Sequence, residues 1–207
     1  MKVDLFTVNQ KKTLERLGGF LTQQDVYLGG TVAMGHQLGH RTSPDLEFFS
    51  PNPLPHPEIL ALEIQAFEPA FEIIKYGLNT IHGKYASVPL TIVEDTSPLV
   101  GKRVNGPGHS VIASLKDLGA TTLKAIVSKG YRNDFLDLYE LCQKEYTLDE
   151  VIEFHHKKFG RVKVSDLLDP LMNFKKADHQ PLPNLLKKID WPTVKKTVRK
   201  WVEMAAR

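Results

Sequence analysis

A single cysteine, Cys142, stands among 207 residues, so the chain can form no internal disulfide and has no cysteine-based zinc spacing. That poverty fits a reducing compartment. Long apolar runs are equally absent: nothing approaches the roughly 20 residues that a membrane span requires. Residues 1–6 contain no apolar core of the signal-peptide type, and the expected location is cytoplasmic. Neither charge sign dominates, with 27 Lys and Arg against 24 Asp and Glu and a net charge of +3. A balance this even permits contact with nucleic acid without arguing for it. What is present is the ordinary material of a packed protein, 42% hydrophobic and 25% charged, which excludes disorder and fibrous repeats. The length allows one ordinary domain or two small lobes.

Periodicity divides the chain in two. Residues 8–22 carry Leu14, Leu17 and Leu21 at helical spacing, and Val26-Tyr27-Leu28 is a short β-type run stopped by Gly29-Gly30. Thr31 is placed to cap a short helix reaching Leu38. Asp45-Leu46-Glu47-Phe48-Phe49 alternates like a strand. Pro51, Pro53, Pro55 and Pro57 exclude sheet and mark a stiff loop, with Pro57 opening a helix over 58–67. Strands are expected near 71–76, 79–83 and 87–94, and Asn105-Gly106-Pro107-Gly108 breaks the chain. Everything beyond reads as helix: 115–128 opened by Ser114 and Asp117, then 134–143, 148–158 with the capping pair Thr147 and Glu150, and 191–205 capped by Asp190. The expectation is an α/β lobe over 1–105 and a helical lobe over 106–207.

The chemistry concentrates between Gly29 and Phe49. On a strand Asp45 and Glu47 share a face; paired carboxylates suit a hard divalent cation, but on these two residues alone an ordinary exposed polar face is the favoured reading. Gly29-Gly30 opens a strand-to-helix turn where backbone amides and a helix start can meet phosphate. Arg41 lies between this turn and the acidic strand, with forked donors suited to phosphate. In the second half, Asp134 near a helix start is favoured by the dipole alone. His36 and His40 lack an acidic partner motif, His155 and His156 read as a helix surface, and Cys142 reads as a buried thiol. Lys102 and Arg103 are secondary candidates for nucleic-acid contact; the basic run of Lys187, Lys188, Lys195, Lys196, Arg199, Lys200 and Arg207 reads first as a solvated helix face and second as a surface for nucleic-acid phosphates.

Leu28-Gly29-Gly30-Thr31, followed by Leu38-Gly39-His40-Arg41-Thr42-Ser43-Pro44-Asp45-Leu46-Glu47-Phe48-Phe49, resembles the signature of the AbiEii/AbiGii toxin family of nucleotidyltransferases. Asp117-Leu118-Gly119-Ala120 and Arg132-Asn133-Asp134-Phe135-Leu136-Asp137-Leu138-Tyr139 resemble its helical motifs. The resemblance covers about residues 25 to 145, and more loosely the segment through Pro183 and Asp190-Trp191. It implies an α+β fold of the polymerase-β-like nucleotidyltransferase type, a mixed sheet lobe followed by a helical C-terminal lobe. It further implies that Gly29, Gly30 and Thr31 hold a triphosphate and that Asp45 and Glu47 coordinate Mg2+ or Mn2+. Arg41 would support the phosphates, Asp134 would act from the helical lobe, and Asp137 is the next candidate there for nucleotide contact. The implied activity is transfer of a nucleotide from NTP to an acceptor, with RNA such as tRNA as the partner class. A cognate antitoxin protein would be a further partner.

Two positions depart from the family pattern. Glu47 stands where aspartate is usual, one methylene longer. Thr122 stands where the family places a lysine beside the triphosphate. Lys124 is rotated by about 200° on the same helix, and Lys129 returns to that face only roughly 10 Å further along. Two alternatives therefore stay open: a catalytically degenerate module of the same fold that binds nucleotide or protein, and an RNA-binding protein without nucleotide chemistry.

Overall fold

The computed structural model describes residues 5–206. Leu14, Leu17 and Leu21 are fully buried along α1 (Val8–Gln23), whose N-terminus is closed by a reciprocal box between Thr7 and Gln10. The chain then lays down β1 (Tyr27–Gly29), α2 (Gly30–Leu38) and β2 (Leu46–Ser50). The helix begins at Gly30 itself, so Thr31 lies inside its first turn and does not precede it as a cap. The proline loop delivers Pro57 to the first turn of α3 (Pro57–Phe67), where its missing N–H costs nothing. Next come β3 (Glu72–Gly77), β4 (Thr80–Tyr85) and β5 (Val88–Glu94), each within two residues of the span its alternation predicts.

The expected break near residue 105 is instead the turn of a small hairpin. It joins β6 (Val104–Asn105) to β7 (Val111–Ile112) through a 3-10 turn, Pro107–His109. Two-residue strands have no legible periodicity, which hides them in the sequence. β7 is nonetheless internal. It pairs parallel with β1, and Ala113 donates its N–H to the carbonyl of Leu28. The sheet runs β3-β4-β5-β2-β1-β7-β6, with β2 and β5 parallel and β1–β2, β3–β4, β4–β5 and β6–β7 antiparallel.

Register gives the sheet two unlike faces. Leu28, Phe48, Ile92 and Ile81 are aligned across β1, β2, β5 and β4, and all are buried. The aligned set one residue away is Gly29, Glu47, Thr91, His82 and Lys75, polar from β2 to β3. Because side chains alternate, one register produces both the core and the polar face.

The helices that follow are α4 (Leu115–Ser128), α5 (Arg132–Lys144), α6 (Leu148–Phe159), α7 (Val164–Leu171), α8 (Lys175–Asp178) and α9 (Trp191–Ala205). Thr147 and Glu150 form the capping box at the start of α6, and Asp190 caps α9 through the N–H of Thr193. The α+β class read from the sequence is the class the chain adopts. Two units divide it: residues 1–33, 43–97 and 102–114 hold the sheet, and residues 34–42, 98–101 and 115–207 hold the helices. No helix among the described residues is long and apolar enough to cross a membrane.

Candidate functional site

In the sheet unit, Gly29 lies directly opposite Glu47 in the β1–β2 register. A Cβ on Gly29 would fall 2.5 Å from the ring of Phe49, so that space is already filled by an aromatic face. Gly30 has φ +59°, and a Cβ there would collide with Oε2 of Glu47. The carboxylate of Glu47 is therefore packed onto the backbone of the strand-to-helix turn. Asp45 is exposed in the bend just before β2, and its Oδ1 accepts a hydrogen bond from Ser43 Oγ at 2.5 Å. The bare turn and the Glu47 carboxylate thus meet where β1 ends beside the start of β2, with Asp45 in the bend two residues earlier and Thr31 half-buried in the helix that leaves the turn.

Gly30→Ala is expected to affect function more than stability. A non-glycine residue at this φ costs about 1–2 kcal/mol. The new methyl must also push the Glu47 carboxylate away, and if Glu47 serves a reaction, a displacement of that order costs about 10²-fold in rate. Thermal unfolding and nucleotide-transfer assays on the same preparation separate the two effects.

The helical unit holds the other candidates. Arg41 is 2% exposed, and its Nε and Nη2 donate to Oδ1 and Oδ2 of Asp137 at 2.6 and 2.7 Å. His40 is fully buried, with Nε2 2.7 Å from Asp137 Oδ1. These three side chains bond to one another, while Nδ1 of His40 is buried with no hydrogen-bond partner among the described residues. Burial raises the Asp137 pKa, but the Arg41 charge and the hydrogen bonds from His40 and Arg41 outweigh it and hold the carboxyl below its usual range. The structure brings Arg41 and Asp137 to each other, and the face of the guanidinium that would fork onto phosphate is engaged.

Asp134 is one turn earlier on α5 and differs from Asp137. Burial first, then the neighbouring charge of Asp137, pushes its pKa up to about 6, against the opposing pull of Arg41 and Lys129. Its Oδ2 is buried with no hydrogen-bond partner among the described residues. The raised pKa means that the folded state holds this proton more tightly than the unfolded chain. Ionised Asp134 therefore destabilises the fold, the cost growing as pH rises from about 4 through about 6. Asp134→Asn is expected to stabilise the protein at pH 7 to 8 by on the order of 1–3 kcal/mol and to leave it unchanged near pH 4. Denaturant titrations at the two pH values test this, and equal gains at both would refute it.

Thr122 is half-buried on α4, and Lys124 Nζ lies 4.0 Å over the ring of Phe159, which removes it as a replacement cation. His155 is buried at 6%, not on a helix surface, because its stripe continues the apolar side of α6. Burial pushes the Cys142 thiol up to about 12, so it is inert. Arg103 is held by Asp25 at 2.6 Å and lies over Tyr27. In the basic C-terminal segment Lys187 pairs with Glu140, Lys195 with Asp178, and Arg199 stacks over Phe174; Arg207 lies outside the described residues.

Some residues escape a reading of the sequence alone. Asp117 does more than open α4: its two oxygens accept the N–H groups of Val100 and Gly101, and Lys158 approaches to 3.5 Å. Register also sets Thr91 opposite Glu47, and His82 opposite Thr91 with Nδ1 3.4 Å from Thr91 Oγ1. Strand parity could have put 82 and 91 on matching faces, but not the parallel pairing that brings Thr91 to Glu47.

The mixed sheet with its bare β1–α2 turn, followed by a helical region, is a nucleotidyltransferase-like fold. One solved structure it is similar to is MenT4, a nucleotidyltransferase toxin from Mycobacterium tuberculosis, with a TM-score of 0.59 over 95% of this chain and 82% of that one. Sequence identity is 13%, and what the two share is the fold. An uncharacterised protein of Aquifex aeolicus is 26% identical over 173 residues, 81% of this chain and 82% of its own length. No protein-family model matches the chain.

Proposed function

We propose that this protein is an AbiEii-like nucleotidyltransferase, which binds NTP with magnesium and transfers a nucleotide to an RNA acceptor such as tRNA. It would act in the cytoplasm as the toxin of a toxin–antitoxin or phage-defence pair, with a cognate antitoxin as protein partner. The observation that carries the reading is the Glu47 carboxylate seated on the Gly30 backbone, with Asp45 exposed in the bend two residues before it. Among the described residues no group of three His, Cys, Asp or Glu side chains is placed to hold a metal ion. Two carboxylates nevertheless fit magnesium, which commonly takes one or two protein carboxylates and completes its shell with water and substrate phosphate oxygens. Asp45 and Glu47 would hold it, and when bound it would neutralise charge developing on the phosphoryl oxygens.

The chain's own contribution is placement. The acceptor oxygen attacks the α-phosphorus, the bond to pyrophosphate breaks, and the hydroxyl proton leaves to a base. The turn at Gly29, Gly30 and Thr31 would receive the triphosphate through backbone N–H groups. Ser43 orients Asp45, and Glu47 is oriented by the turn beneath it. Asp134, whose pKa of about 6 lets it change protonation near neutral pH, is assigned to the same reaction. Arg41 and Asp137 are reassigned as a mutual lock that fixes α5 to the 40–41 segment.

A second reading, a degenerate nucleotide-binding or interaction module, is favoured by that lock together with Thr122, since neither Arg41 nor a lysine at 122 then faces phosphate. Incubating the purified chain with each labelled NTP, magnesium or manganese, and total RNA separates the two. Label in RNA supports the transferase; saturable magnesium-dependent NTP binding without transfer supports the module.

A further inference from the structure

The helical unit contains a cleft of about 500 Å³ at the end of α4, bounded by the α7–α8 junction. Lys129, Lys175 and Lys176 line it, with Asp169 the one acidic residue among its walls. Among the described residues no carboxylate lies within ion-pair distance of any of the three lysines. This differs from the C-terminal segment, where Lys187 and Lys195 are already neutralised.

The walls are held rigidly. Gly130, at φ +61°, turns the chain after α4 and donates its N–H to the carbonyl of Ala125, which sets Lys129 and Tyr131 on either side of the turn. Arg132 then ties α8 in place, donating from Nε to the Ala177 carbonyl and from Nη2 to the Asp178 carbonyl, both at 2.8 Å. Phe174 and Ala177 are buried, so Lys175 and Lys176 are left on the outer side of α8. Tyr131 is 39% exposed, and Lys176 Nζ lies 4.2 Å from its ring centre.

We infer that this cleft binds single-stranded RNA, with backbone phosphate among Lys129, Lys175 and Lys176 and a base against the exposed ring of Tyr131. The inference rests on the RNA-directed reading above and names where the RNA is held. Unpaired lysines grouped around one concavity favour a phosphate, and the adjacent aromatic face favours a nucleobase over an acidic peptide. The volume is in the range of small-ligand sites, enough for about one nucleotide.

The test is anisotropy titration of a labelled single-stranded RNA oligonucleotide with the full chain at several salt concentrations. Changing the three cleft lysines to glutamine is expected to weaken binding at least tenfold and to lower the salt slope by about 2, at about 0.7 for each phosphate no longer neutralised. Tyr131→Ala is expected to weaken binding with the salt slope unchanged. Gln at Lys188, Lys196 and Lys200 is expected to change affinity less than twofold. Unaltered unfolding temperatures confirm that the lysine variants fold. Absent RNA binding, retention by the cleft variant, loss in the C-terminal variant alone, or cleft-dependent binding of free ATP or a poly-glutamate peptide in place of RNA would each overturn the inference. The two readings fail separately. Transfer of label that ignores the cleft lysines would sink the cleft and leave the transferase standing. Cleft-dependent RNA binding without transfer from any NTP would do the reverse.

Discussion

Alanine at position 45 is expected to reduce transfer of label from NTP to RNA by about 10³-fold or more while leaving the fold intact. A carboxylate that helps hold a divalent cation contributes several kcal/mol to charge stabilisation in the transition state, and each 1.36 kcal/mol is tenfold in rate. The structural cost is small because Asp45 is exposed and its described side-chain bond is to the Ser43 hydroxyl two residues away. Exposed substitutions of this kind usually change stability by less than about 0.5 kcal/mol. The combination is what discriminates: a lost activity with an unchanged unfolding curve assigns Asp45 to chemistry. Glu47→Gln should behave similarly in activity, since it keeps the shape against Gly30 and removes the charge. Labelling that survives both substitutions would remove the acidic pair from the mechanism.

How far the sequence reveals this site depends on which distances along the chain are involved. Local features are legible. The strand before Gly29-Gly30, the helix after it and the alternation of β2 follow from periodicity and glycine punctuation within about 25 residues. So do the Thr147–Glu150 box and the Asp190 cap, because each is a bond between residues three apart. The short elements are illegible for the opposite reason. β6 and β7 have two residues each and α8 has four, too few to show a period, although β7 is internal to the sheet.

The site shows the same limit. Strand parity predicts that Asp45 and Glu47 share a face, but β2 starts at Leu46 and leaves Asp45 in the bend before it; that Glu47 rests on Gly30 requires the antiparallel register of β1 with β2. Arg41 and Asp137 are 96 residues apart, and nothing local announces that the arginine's fork is taken by a carboxylate and not offered to phosphate. Lys129 sits at the limit of helical arithmetic, its N–H still bonded to the carbonyl of Ala125 four residues back. That arithmetic carries it about 10 Å along α4 from Thr122, and what it does not show is the turn at Gly130, which brings Tyr131 and α5 next. Past a helix end the 3.6-residue repeat no longer governs direction.

The same buried triangle yields the largest expected stability effect. Asp137→Ala leaves Arg41, 2% exposed, without its bidentate partner and strips the hydrogen bond from a fully buried His40. Removing one member of a buried ion pair costs about 3–5 kcal/mol, because the remaining charge keeps its desolvation cost and loses its compensation. That is a large share of the roughly 5–15 kcal/mol that holds a domain of this kind together. The pH dependence carries its own sign. The folded pKa of Asp137 is depressed, so its stabilisation is fully present above the unfolded value near 4 and is lost as pH falls through the lower folded value. The wild-type protein should therefore lose stability steeply below pH 4, whereas Asp137→Ala should start lower and lack that component of the acid transition. A double-mutant cycle with Arg41→Met tests the lock directly. If the pair acts as a lock, the double variant should be more stable than Asp137→Ala alone, since no uncompensated charge remains buried. Additive losses would mean that Arg41 has another partner, and its role toward phosphate would return.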